Sequence, residues 1–135
     1  TRLFDSALRL IRAVDPHRVV LNGDICDFFQ LSRFNTGRQR EELLQEEINE
    51  GNVIRGAVRG AAPNDVIDET EGNHDNRIKS YVAVNAKPLA SLEALSPANL
   101  LQHKELEINS HPGAGFLLRK WFLVKHGDNV RQDAL

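Results

Sequence analysis

Arg18-Val19-Val20-Leu21-Asn22-Gly23-Asp24-Ile25-Cys26-Asp27 decides the fold. Its first half is short, β-branched and almost wholly apolar, as a strand buried in a parallel sheet is. It runs straight into Gly23-Asp24. Before it, Leu3, Phe4, Ala7, Leu8, Ile11 and Val14 recur at helical spacing, with Arg2, Asp5, Arg9 and Arg12 between them. That pattern predicts an amphipathic helix. Asp15-Pro16 ends it, because proline disfavours the helical conformation of the residue before it.

The pattern returns to helix over residues 38–60, with Leu44, Ile48, Gly51, Ile54 and Val58 on one stripe. Gly51, Gly56 and Gly60 each weaken a helix by roughly 1 kcal/mol, which leaves room for a break near Gly51. Ala61-Ala62-Pro63-Asn64 reads as a turn, and residues 65–71 as a second strand running into Gly72-Asn73-His74-Asp75. Residues 76–85 read as a helix, and 88–102 as short helices parted by Ser96-Pro97. Residues 105–108 read as a strand, 111–115 as a turn, and 116–125 as one or two strands running into His126-Gly127-Asp128. The alternation of helix and strand predicts an α/β fold, its first strands parallel, in a single domain over residues 1–135.

Composition removes several function classes. The 135 residues carry 17 Lys+Arg against 19 Asp+Glu, a net charge of −2. A dedicated nucleic-acid binder shows a basic surplus. A nucleic acid therefore enters only as a substrate held by metals. No apolar run approaches the ~20 residues of a membrane span, and residues 1–14 are too charged for a signal peptide. Cys26 is the one cysteine, so no internal disulfide forms and a reducing, cytoplasmic setting is expected.

Three strands end alike, in Gly23-Asp24, in Gly72-Asn73-His74-Asp75 and in His126-Gly127. Open α/β sheets bind ligands outside the carboxyl ends of their strands. Asp24, Asn73, His74 and His126 are therefore expected on one rim. Carboxylate and amide oxygens with imidazole nitrogens suit divalent ions such as Mn, Fe, Zn or Ni.

The order GDxxD, GNHD and a later lone HG resembles the calcineurin-like metallophosphoesterase superfamily. The resemblance covers nearly the whole chain. It implies an α/β/β/α sandwich and two divalent metal ions. Asp24 would bridge them, and Asn73 and His126 would bind the second. His74 would face the substrate phosphate and protonate the leaving oxygen, with Asp75 orienting and charging its imidazole. Asp27 would fix the loop, and Arg77 would touch a phosphate through its guanidinium fork. The implied reaction is hydrolysis of a phosphomonoester or phosphodiester by metal-activated water.

Protein phosphatases of that superfamily read GDxVDRG and GNHE. Here Asp27 precedes Phe28-Phe29 and His74 precedes Asp75. The resemblance is to bacterial or phage-type members, with nucleotides and nucleic acids among the expected substrates. The family's first motif, an Asp-x-His on the strand before the first helix, has no counterpart, because the chain opens at that helix. Its closing Gly-His-x-His is also absent. The chain is thus expected to be the interior of a larger domain, incomplete at both ends. A catalytically inactive domain, kept as a binding or scaffold module, is the alternative. A shortened sheet edge leaves homodimerisation open.

The plainer readings run beside these. Asp24 alone is equally a turn residue, and a histidine at a strand end is commonly a polar cap. His17, His103 and His111 read as structural, Cys26 as a small packed residue, and Glu41-Glu42 with Glu46-Glu47 as a solvated helix face. Arg33 is a weaker phosphate contact than Arg77. Phe28, Phe29 and Phe34 read first as core and second as cleft wall.

Overall fold

The computed structural model describes residues 1–32 and 43–127. Arg33, Phe34, Glu41, Glu42 and Asp128, named above, lie outside them, as do residues 38–42 of the expected second helix.

Helix α1, Arg2–Val14, starts where the Thr1 side chain accepts the Phe4 N–H. It stops at Asp15, which turns left-handed with φ 48° ahead of Pro16. Strand β1 is Arg18–Leu21, and a single 3₁₀ turn at Phe29–Leu31 follows. Helix α2, Leu44–Ala61, begins with Glu46 reaching back to the Leu43 N–H at 3.1 Å. It runs unbroken through Gly51, so the break that the glycines allowed does not occur. A Cβ at Gly51 would stand 2.4 Å from Cys26 Sγ. The glycine is therefore what lets α2 lie against the loop after β1, and packing outweighs its weak helix propensity.

Strand β2, Val66–Thr70, leads into α3, Asn76–Asn85. Two 3₁₀ segments, Lys87–Ser91 and Glu93–Leu95, precede the short α4, Pro97–Leu100. Strand β3 is Ile108–His111. It lies three residues beyond the expected 105–108, and His111 belongs to it rather than to the turn. The last stretch divides into β4, Phe116–Leu118, and β5, Phe122–Val124.

The strands β1, β2 and β3 form a parallel sheet in that order, with Val20 opposite Asp68 and Asp68 opposite Asn109. Strands β4 and β5 form a separate antiparallel pair. The fold is thus mixed α/β with a parallel sheet. Leu8 of α1, Val58 and Ala61 of α2, and Ile67 and Ile108 of the sheet make one core. Cys26, Phe28, Ile48 and Leu101 make a second, which fixes the loop after β1. Phe28 is therefore core. Among the described residues no helix is long and apolar enough to cross a membrane.

Candidate metal centre

The carboxyl ends of β1 and β2 are side by side because the strands are parallel neighbours. Thr70 Oγ1 donates to Asn22 Oδ1 at 3.2 Å and joins the two ends. Beyond them the two loops touch. A Cβ at Gly72 would stand 2.0 Å from Asp24 Oδ1, so only glycine admits this approach. Asp24 itself is left-handed, with φ 54°. Non-glycine residues there cost of order 1–3 kcal/mol and cluster at functional sites.

The bonds to Asp24 hold that conformation. Its N–H donates to Asp75 Oδ2 at 2.8 Å, and its Oδ1 accepts the His74 N–H at 2.9 Å. Its other oxygen, Oδ2, lies 3.1 Å from His126 Nε2. Asn73 Oδ1 lies 3.2 Å from the same nitrogen. Three strand ends thus bring Asp24, Asn73 and His126 together across about a hundred residues of chain.

His126 Nδ1 faces the carbonyl oxygen of Asn22, which can only accept, so Nδ1 carries the proton. In the neutral ring Nε2 then holds a free lone pair. It points at two oxygens that are themselves acceptors. The bond to Asn22 pushes the His126 pKa up, burial opposes it, and the Asp24 charge adds to the rise. Either a proton on Nε2 or a cation satisfies such a set. Ligands of one ion, each at about 2.1 Å, stand roughly 3 Å apart, close to the two spacings here. This oxygen, oxygen, nitrogen set fits one divalent ion. Among the described residues no three of His, Cys, Asp and Glu converge. Asp15-Pro16-His17 spells Asp-x-His, but it lies at the amino end of β1, roughly 13 Å of strand away from the rim.

Asp27 and Asp75 exchange their expected roles. Asp75 is buried, and its Oδ2 takes the backbone N–H groups of Asp24 and Gly72. It does not orient His74. The carboxylate on His74 is Asp27, whose Oδ1 lies 2.9 Å from His74 Nδ1. Arg77 Nη1 in turn donates to Asp27 Oδ1 at 2.7 Å and to the Asp27 carbonyl at 2.6 Å. Burial pushes the Asp75 carboxyl up, against the pull of its two backbone donors.

Glu47 is a correction of the solvated-face reading. Its Oε1 accepts the N–H groups of Asp27 at 2.6 Å and Phe28 at 2.7 Å. From α2 it holds the loop that carries Asp27. Periodicity on α2 could not show this, since the contact spans twenty residues.

Two ion-pair networks around buried carboxylates also escaped the reading of single residues. Arg55 makes a two-pronged contact with Glu69, at 2.6 and 2.8 Å, and His103 Nε2 lies 3.2 Å from the same carboxylate. Asp68 takes Arg18 on one oxygen and His111, at 2.7 Å, on the other. The sequence did hold a signal for both. Asp68-Glu69 places adjacent carboxylates on opposite faces of a buried strand, and each face then needs a cation or donor.

Comparison of the chain with protein-family models, curated proteins and solved structures found no match.

Proposed function

We propose that this chain carries part of a metal-dependent phosphoesterase centre that hydrolyses a phosphomonoester or phosphodiester. The observation that supports it best is the convergence of Asp24 Oδ2 and Asn73 Oδ1 on His126 Nε2. Asp24, Asn73 and His126 would hold a divalent ion, and Asp24 would reach toward a second. When bound, such ions polarise a phosphoryl oxygen and activate water. His74 donates its Nδ1–H to Asp27, so its Nε2 is the atom that passes a proton to the leaving oxygen. Arg77 holds Asp27 and Glu47 holds its backbone, so neither His74 nor its partner is free to swing. The parent fold in this reading is an α/β/β/α sandwich, with β4 and β5 the start of its second sheet.

Calorimetry with Mn²⁺ tests the centre. Asp24→Asn and His126→Ala should each weaken binding by at least about tenfold. Bis(p-nitrophenyl) phosphate and p-nitrophenyl phosphate then separate diesterase from monoesterase. Mn²⁺ affinity unchanged in both variants would sink the proposal. That no three of His, Cys, Asp and Glu converge among the described residues favours another reading, a module that binds metal without hydrolysis. Binding without turnover of either ester would select it.

A further inference from the structure

A cleft of about 680 Å³ opens beside Asn73, between α3 and the 3₁₀ turn at Phe29–Leu31. That volume suits a drug-sized molecule rather than a lone phosphate. Its long wall is one stripe of α3, in which Arg77, Tyr81 and Val84 follow one another at helical spacing. The helix rises roughly 14 Å from Asn76 to Asn85, so the cleft leads well away from the strand ends.

Its chemistry is as particular as its length. Tyr81 is 45% exposed and Val84 81% exposed. Among the described residues no aromatic ring packs on Tyr81. The described lining holds no carboxylate, although the chain as a whole is acidic. Both bonds from Arg77 to Asp27 leave from Nη1, so the Nη2 and Nε donors stay available to an anion.

We infer that this cleft seats the nucleoside part of a nucleotide ester, its base flat against the Tyr81 ring and its phosphate at the Asn73 end. The inference rests on the phosphoesterase reading of Asp24, Asn73 and His126. Stacking suits Tyr81 because every base offers a π-face. Among the described residues the lining presents no carboxylate to repel the sugar-phosphate.

Tyr81 is the only tyrosine in the chain, so protein made with 3-fluorotyrosine gives one ¹⁹F resonance that reports on the cleft. Adenosine 5′-monophosphate and adenosine should each shift it saturably, with and without Mg²⁺, and inorganic phosphate should not. By calorimetry Tyr81→Ala should weaken adenosine 5′-monophosphate binding at least about fivefold, with Tyr81→Phe within about twofold of the parent. A resonance that neither nucleoside nor nucleotide moves, or a Tyr81→Ala affinity equal to the parent, overturns the inference. Adenosine has no phosphate and needs no ion, so its result is independent of the Mn²⁺ test of Asp24.

Discussion

Asp75 Oδ2 accepts the backbone N–H of Asp24 at 2.8 Å, and the same oxygen takes the Gly72 N–H at 2.9 Å. One buried carboxylate atom thus clamps the loop after β1 to the loop after β2. Asp24 can face His126 only while that clamp holds its backbone. Asp75 is a positioning residue, since it is 1% exposed and reaches no substrate.

Asp75→Ala should therefore cost more than its small size change implies. Two inward N–H groups lose their acceptor, at about 1–3 kcal/mol each. Urea unfolding should show a loss of about 2–5 kcal/mol. Asp75→Asn, which keeps a carbonyl acceptor, should recover most of it. Equal stability of Asp75→Ala and the parent would remove the clamp.

The glycines separate close packing from helix propensity. Gly72→Ala would place a Cβ 2.0 Å from Asp24 Oδ1 and must push that carboxylate away. It should lower stability by about 1–3 kcal/mol and weaken Mn²⁺ binding together. Gly56 sits in α2 with nothing within 4 Å of its Cβ direction. Gly56→Ala should raise stability by about 0.5–1 kcal/mol. Thermal melts of the two variants, moving in opposite directions, check both.

Glu69 sets an acid limit. Burial works to raise its pKa, but the bonds from His103 and Arg55 and the Arg55 charge outweigh it and hold the carboxyl below its ordinary range. A carboxylate lowered in the fold contributes stability that is present above its unfolded pKa. That stability is lost as pH falls through the folded pKa. Stability of the parent should therefore drop on acidification below the ordinary glutamate range. Glu69→Gln should flatten that part of the curve. It should also cost about 3–5 kcal/mol at neutral pH, because fully buried Arg55 is left uncompensated. Urea titrations at several pH values read both effects, and an unchanged acid slope would refute the assignment.

Asp27 and His74 should act as a unit. On the proposed phosphoesterase reading, His74→Gln should leave Mn²⁺ affinity as it is and cut turnover of the nitrophenyl ester that the parent hydrolyses by about 10²–10⁴. Asp27→Asn should cut turnover in the same direction, and the double variant should be no worse than His74→Gln alone. Full additivity of the two losses would show that Asp27 acts by another route.

Much of this was legible without coordinates. Apolar patterning placed α1, β1, β2 and α3 within a residue or two, although only β2 is buried along most of its length and β1 lies half-buried at the sheet edge. Asp24 and Asn73 were legible because neighbouring strand ends in a parallel sheet share a rim, whereas His126 follows β5 of the separate antiparallel pair and reaches them only through tertiary packing. Partners were another matter. Asp75 follows His74 directly, yet it turns to Asp24 and Gly72, while His74 finds Asp27 across nearly fifty residues. Glu47 looks solvated in the sequence and proves to bind a loop, and His103 and His111 read as structural without any hint of the buried carboxylates they meet. Sequence pattern determined the elements and the rim, since these follow from which residues avoid water. Tertiary structure alone decided which polar group meets which, since a buried donor or acceptor takes whatever partner the packing brings within about 3 Å.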